Sequence, residues 1–327
     1  FLATSPLPAM MCEDFVFNFR MNSSQKADLF DPAVKVVLPP NMVLQGSTVD
    51  IEYPINSGNW QTVSPAIRGQ MIEVDMTAHT GIDDTLPGTI NADVVNFPLG
   101  EDRQAAVRFT VRTNCDYLSG DRVSFQPLGT AACGGQADGS GATFLSPRIR
   151  IFGAEPDYEG TFSINLGSPD NLYGCYAQKL DVTVQLRDLD AMDNLPASTG
   201  SADTIILSIP SILDMVSGSF VCTTIPAANC PVFIDQSIAL DGRRILKFAL
   251  PPNIPIPNGG VTPLVFSVFL QPQQEVACTL NDKITGTIIA VYENIACPNP
   301  APGTVCAKVR ALAGEGQTPV TIKKMEL

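Results

Sequence analysis

Nine cysteines and a single histidine are the residues with the most chemistry to offer in this 327-residue chain. Cys115 and Cys133 stand 18 residues apart, and Cys278 and Cys297 stand 19 apart. Each pair brackets an alternating strand, a turn and a second strand. Cys222 and Cys230 bracket a short turn containing Ile225-Pro226. These spacings predict three disulfides, Cys115–Cys133, Cys278–Cys297 and Cys222–Cys230. A loop of this size is worth roughly 3 kcal/mol in the chain-entropy treatment. Cys12, Cys175 and Cys306 are left over. Cys12 and Cys175 occupy matching places, each just before the first strand of its half, so each could be unpaired or tie one domain to another. Cys175–Cys306 is the alternative, and it would leave Cys12 for a partner outside the fragment. A zinc reading is disfavoured, because no C-x-x-C occurs and His79 stands alone.

Catalysis has little to work with. A Ser–His–acid arrangement would have to use His79, in MTAHTGIDD, and no G-x-S-x-G elbow is present. His79 on this polar loop reads as an ordinary surface residue, and the chain is expected not to be an enzyme. Asp188, Asp190 and Asp193 (RDLDAMDN) could give oxygen ligands to calcium, but they lack the central Gly and terminal Glu of an EF-hand loop. Solvated acidic loops are the simpler reading, and no other cofactor is expected. Trp60, the only tryptophan, is the candidate platform for a sugar, with a place in the core as the alternative. The Gly-rich CGGQADGSG after Cys133 lacks the G-K-[ST] ending of a phosphate loop.

The elements that carry these residues alternate with period two. Phe15, Phe17, Phe19 and Met21 share one face of a predicted strand, and Leu180, Val182, Val184 and Leu186 share one face of another. Val34 to Leu38 stops at Pro39, with Gly46-Ser47 soon after; Thr204 to Ile209 stops at Pro210, with Gly218-Ser219 soon after. The two prolines are 171 residues apart, so the second half replays the first with diverged loops. Helical periodicity is nowhere sustained. Short strands separated by turn signals predict an all-β fold of two tandem Ig-like β-sandwich domains. The alternating stretch Thr161 to Leu166 is taken as the last strand of the first domain. That choice gives domains at residues 1–167 and 168–327. Arg148 to Phe152 is predicted as another strand, and the two cysteine-bracketed stretches as hairpins.

This order of signals resembles the Ig-like repeat domains of large secreted Bacteroidetes surface proteins, including the gliding-motility adhesins, and the conserved-repeat domains of other bacterial surface proteins. The resemblance rests on Val37-Leu38-Pro39 with Gly46-Ser47, on Ser208-Ile209-Pro210 with Gly218-Ser219, and on the mid-domain strands Ile72 to Met76 and Ile245 to Leu250. The strands Val107-Phe109-Val111 and Leu264-Phe266-Val268 complete it. It implies a structural stalk or fibre module of a cell-surface assembly, exported by a dedicated secretion route.

Composition agrees with an extracellular setting. A net charge of −13 opposes a nucleic-acid partner. No stretch approaches the eighteen or so apolar residues that would span a membrane. Phe1-Leu2-Ala3 has neither the basic nor the long apolar region of a signal peptide, which predicts a piece of a longer precursor. The expected function is a structural repeat segment of a secreted cell-surface adhesin or extracellular fibre, a spacer that presents loops, with neighbouring repeats as partners. The alternatives are a carbohydrate-binding module that meets surface polysaccharide, or a filament subunit that donates Phe15-Val16-Phe17-Asn18-Phe19 to a neighbour's edge strand.

Overall fold

The computed structural model describes residues 2–4, 9–22, 28–86, 104–131, 136–137, 143–154, 158–166, 171–173, 176–189, 203–257, 260–272, 280–297 and 304–323. The fold is all-β. The helical segments among the described residues are short 3-10 turns, at Met76–Ala78 and Ala227–Asn229. No helix among them is long and apolar enough to cross a membrane. The chain divides into two compact units, Phe1–Ala154 with Asn294–Val309, and Glu155–Glu293 with Arg310–Leu327.

The first unit contains β1 (Leu2–Thr4), β2 (Asp14–Asn22), β3 (Leu29–Val37), β4 (Met42–Leu44), β5 (Val49–Glu52), β6 (Trp60–Val63) and β7 (Ala66–Arg68). It continues with β8 (Met71–Asp75), β9 (Thr85–Leu86), β10 (Gln104–Thr113), β11 (Leu118–Ser119), β12 (Ser124–Ala131), β13 (Gln136–Ala137) and β14 (Phe144–Leu145). One sheet runs β1-β2-β10-β5-β6 with β4 beside β10; the other runs β13-β12-β3-β8-β7 with β14 beside β12 and β9 beside β3. Alternation decides which side chains enter the space between them. Phe15, Phe17, Phe19 and Met21 of β2 are buried, as are Val34 and Val36 of β3 and Ile72 and Val74 of β8. Phe19 meets Phe125 of the opposite sheet at 4.7 Å between ring centroids, and Phe17 meets Phe109 at 5.6 Å and Phe125 at 5.9 Å. Burying each such ring is worth about 2–3 kcal/mol relative to exposure.

The second unit is built from β15 (Tyr158–Leu166), β16 (Asn171–Tyr173), β17 (Gln178–Asp188), β18 (Thr204–Ile209), β19 (Leu213–Met215) and β20 (Val221–Cys222). β21 (Val232–Ile238), β22 (Arg244–Ala249), β23 (Val261–Pro272), β24 (Leu280–Cys297) and β25 (Thr304–Lys323) follow. Strand order is β19-β23-β17-β15-β25-β24-β18-β22-β21, with β20 also on β23. The β15–β25 contact is parallel, pairing Gly160 with Gly314 and Thr161 with Glu315. Phe248 of β22 lies 4.9 Å from Phe266 of β23, ring centre to ring centre, within a core that includes Leu180, Val182, Val184 and Leu186.

Four expectations differ from the structure. The strand at Thr161 to Leu166 is part of β15 and pairs with β17 from Tyr158↔Asp188 to Leu166↔Leu180, so the division falls after Ala154 and not at residue 167. Its own alternation is equally compatible with either unit; the nine-residue register with β17 decides. The cysteine-bracketed stretches are not hairpins: β10 and β12 lie in different sheets, and β23 and β24 are not neighbours. Thr113 to Ser124 is far longer than the two- to five-residue loop of a tight hairpin, and it crosses from one sheet to the other. Arg148 to Phe152 makes only single bridges, Ile149 to Asp121 and Ile151 to Ala9 and Ala154. The segment Phe15 to Phe19 lies within β2, where β10 of its own unit pairs with all five residues and β1 pairs with Asn18 and Phe19, so it is a strand of its own unit's sheet.

Candidate functional site: a four-cysteine cluster in the first unit

Four cysteines converge in the first unit. Cys12 sits in the turn before β2 with φ +61°, a left-handed conformation uncommon outside Gly, Asn and Asp. Cys115 opens the turn after β10. Cys297 ends β24 and Cys306 lies near the start of β25, within the excursion Asn294–Val309. Cys12 is bonded to Cys297 with Cα atoms 5.4 Å apart, and Cys115 to Cys306 with Cα atoms 5.3 Å apart. All four Sγ atoms lie within 4.8 Å of one another, and Sγ of Cys297 is 3.8 Å from Sγ of Cys306. Cys297 and Cys306 are buried; Cys12 and Cys115 are half-buried.

The surrounding chain holds these turns in place. The Asp116 amide donates to Asn114 Oδ1 at 2.9 Å, and the Asn114 amide donates to the Asn41 carbonyl at 3.1 Å. Tyr117, fully buried, donates its hydroxyl to the Ile149 carbonyl at 3.2 Å, and burial pushes that phenol's pKa up. Ser119 Oγ donates to the Ala154 carbonyl and accepts the Ile151 amide, both at 2.8 Å. Ala9 bridges to the same stretch: its amide donates to the Arg150 carbonyl, and its carbonyl accepts the Phe152 amide. The segments carrying Cys12 and Cys115 are therefore both anchored to residues 146–154. Buried Met11 and Thr113 pack beside them, with Thr113 Oγ1 3.8 Å from the Met11 sulfur.

This pairing corrects the sequence-based one. Cys115 is bonded to Cys306 in place of Cys133, and Cys297 to Cys12 in place of Cys278. Spacing along the chain carried no information about an excursion that returns residues 294–309 to the first unit. Cys133, Cys175 and Cys278 lie outside the described residues. Cys222 is bonded to Cys230, Cα atoms 5.9 Å apart, across the 3-10 turn Ala227–Asn229. Thr224 ties that loop to β23, its Oγ1 accepting the Val265 amide at 2.8 Å.

The remaining candidates separate. Asp188 ends β17, its side chain is not among those described, and Asp190 and Asp193 lie outside the described residues. Trp60 is half-buried on β6, with the Arg108 guanidinium 4.1 Å from the ring centroid. Arg108 Nε donates to Asp50 Oδ2 at 2.8 Å, and Thr62 donates to Asp50 Oδ1 at 2.6 Å. Asn18, Arg108, Asp50 and Thr62 are successive cross-strand partners on β2, β10, β5 and β6, so they form one polar row. The Thr62 hydrogen bond, with help from Arg108, holds the Asp50 carboxyl below its usual range. His79 is not on the surface: it is fully buried, because the 3-10 turn Met76–Ala78 folds it against the edge of Tyr53, 6.0 Å between ring centroids. Its Nδ1 accepts the Gly81 amide at 3.0 Å and its Nε2 donates to the Asn59 carbonyl at 3.1 Å, so both ring nitrogens are occupied by backbone. In the second unit, half-buried Asp203 accepts the Tyr158 hydroxyl at 2.7 Å and the Val291 amide at 3.0 Å; burial pushes its pKa up.

No known protein family and no curated protein matches the sequence. Among solved structures, similarity extends to the C-terminal domain of the AgI/II polypeptide BspA of Streptococcus agalactiae, at 9% identity over 97% of this chain and 95% of that one, with a TM-score of 0.24. It also extends to BcpA, the major pilin subunit of Bacillus cereus, at 10% identity over 89% and 69% of the two chains, TM-score 0.28. A C-terminal fragment of the major pilin GBS80 of Streptococcus agalactiae matches at 9% identity over 51% and 56%, TM-score 0.25. Likeness at this level assigns no function.

Proposed function

We propose that the chain is a load-bearing structural segment of a secreted cell-surface adhesin or extracellular fibre, a spacer that presents loops and connects to neighbouring repeats. The observation that carries this reading is the Cys12–Cys297 bond, which closes 285 residues of sequence, with Cys115–Cys306 closing 191 beside it. Tension applied at the two ends passes from Cys12 directly to Cys297. The chain between them is removed from the path of the force. At about 3.4 Å per extended residue, the bond withholds on the order of 1,000 Å of contour length. A protein that must stay compact under pulling benefits from such a bypass, and a soluble catalyst gains nothing comparable. Such bonds persist in oxidising surroundings, in keeping with an extracellular location.

The test is single-molecule extension between the termini. The oxidised protein is expected to lengthen only by the residues outside Cys12–Cys297, and reduction is expected to release the rest. Full-length extension of the oxidised protein would overturn the reading. A second reading, a carbohydrate-binding module for surface polysaccharide, is favoured by half-exposed Trp60 beside the polar row Asn18–Arg108–Asp50–Thr62. Glycan-array binding that disappears in Trp60→Ala would establish it. An array without signal for the unaltered protein would remove it.

A further inference from the structure

The four sulfurs of the first unit are arranged for more than two covalent bonds. Every Sγ of Cys12, Cys115, Cys297 and Cys306 is within 4.8 Å of the other three. The two sulfurs that belong to different disulfides, Cys297 and Cys306, are 3.8 Å apart. A regular tetrahedron of thiolates around zinc, with Zn–S near 2.3 Å, has S···S edges of about 3.8 Å. One edge of that tetrahedron is therefore already in place. The two bonded pairs need only open to about the same separation, a movement within reach of cysteine side-chain rotation. The ligands come from two turns and two strand ends, and the backbone bonds described above hold the two turns in place. A ring of ligands held by the fold suits a closed structural site better than a flexible loop would. Two of the four are half-exposed, which gives an ion a way in; the other two are buried.

We propose that, when the two disulfides are reduced, this cluster binds one zinc ion as a tetrathiolate, so that the same four residues close the unit in either redox state. Two equivalents of a phosphine reductant supply the four electrons and become phosphine oxides with oxygen from water. The two S–S bonds become four thiols. Zinc then binds four thiolates, and the four thiol protons pass to the buffer. Soft sulfur donors in tetrahedral array select zinc, or cobalt as its spectroscopic substitute, over calcium and magnesium. C-x-x-C spacing is not required, because the fold supplies the proximity that such a motif would otherwise supply.

The experiment takes the full chain, reduces it anaerobically with a water-soluble phosphine, and titrates it with Co²⁺ and then Zn²⁺. The expected result is the absorption of tetrahedral cobalt thiolate saturating at one equivalent and displaced by zinc. A second variant, with Cys133, Cys175, Cys222, Cys230 and Cys278 all replaced by Ser, is expected to retain the signal. Cys12→Ser and Cys306→Ser are each expected to lose the tetrathiolate spectrum. No thiolate band in the reduced protein would overturn the proposal. So would a tetrathiolate band that survives in the Cys12→Ser/Cys306→Ser chain, because the ion would then sit on other cysteines. The load-bearing reading is judged separately, by extension of the oxidised protein, and stands or falls without the metal.

Discussion

The two units use one strand plan and hold it together in different ways. β2, β10 and β5 of the first correspond to β17, β23 and β20 of the second, and β12, β3, β8 and β7 correspond to β24, β18, β22 and β21. Phe109 of β10 and Phe266 of β23 each lie among other rings in the core of their own unit, Phe109 beside Phe17 and Phe19 and Phe266 beside Phe220 and Phe248. Around them the volume is distributed differently. In the first unit the rings come from β2, as Phe17 and Phe19; in the second, β17 contributes Val182 and Val184, and Phe220, Phe233 and Phe248 fill the space. Cores tolerate such exchange when total volume and alternation are kept. Covalent closure is not exchanged so freely. The first unit must retain residues 294–309, which arrive after the whole of the second unit's central sequence, and it carries the two long-range disulfides. Among its described residues the second unit has one disulfide, across eight residues. Chain entropy puts each long bond at about 5 kcal/mol and the short one at about 2.5 kcal/mol, with the two long bonds overlapping and not additive.

The largest effect expected from this contrast follows from cutting one staple in each unit. Cys12→Ser/Cys297→Ser should destabilise the first unit by about 4–5 kcal/mol, and Cys222→Ser/Cys230→Ser the second by about 2–3 kcal/mol. Denaturant titration separates them, because the only tryptophan, Trp60, reports on the first unit alone. Equal losses would break the comparison. The two aromatic cores supply the next test. Phe109→Ala and Phe266→Ala should each cost about 3–5 kcal/mol, in their own units. A large difference between the two would mean that the rings packed around each, which differ between the units, set the cost.

The shared plan was legible because it is local. Phe15, Phe17, Phe19 and Met21, and the proline stops after Leu38 and Ile209, could be read from neighbouring residues, and the buried faces follow them. What escaped was non-local. Alternation in Thr161 to Leu166 says that a strand exists and is silent on its partner, which turned out to be β17. The partner of Cys115 lies 191 residues away, beyond any spacing argument. One signal was present: Cys297 and Cys306 flank Pro298, Pro300 and Pro302, a pair of cysteines around a proline-rich stretch between two long alternating runs. His79 escaped because a single buried histidine satisfied by backbone looks, in sequence, like any residue of a polar loop.

A smaller effect belongs to the second unit alone. The parallel β15–β25 contact depends on glycines facing one another. A Cβ at Gly314 would run into the Gly160 carbonyl, which is backbone, whereas a Cβ at Gly160 meets the flexible end of Ile288. Gly314→Ala should therefore cost about 1–3 kcal/mol and raise hydrogen exchange in residues 158–166, and Gly160→Ala should cost less. The reverse order would mean that the strand separation adjusts more readily than a side chain.

The smallest effect distinguishes the units by the sign of their response to acid. Asp50, in the first, has its pKa lowered by Thr62 and Arg108, so the folded state holds its charge to lower pH than the unfolded chain does. Its contribution is present above the unfolded carboxyl pKa, near 4, and is lost as pH falls through the lower folded value. Asp203, in the second, has its pKa raised by burial, so the folded state takes up the proton first. Its contribution to stability grows as pH falls from that raised value toward the unfolded one. Asp50→Asn should therefore flatten the acid loss of stability in the first unit, and Asp203→Asn should remove a gain in the second. Arg108 and Asp50 are 41% and 28% exposed, so solvent screening keeps the Asp50 effect to less than about 1 kcal/mol. Unit-resolved hydrogen exchange between pH 3 and pH 7 reads both slopes, and slopes that change in the same direction would show that one of the two carboxylates is not held as described.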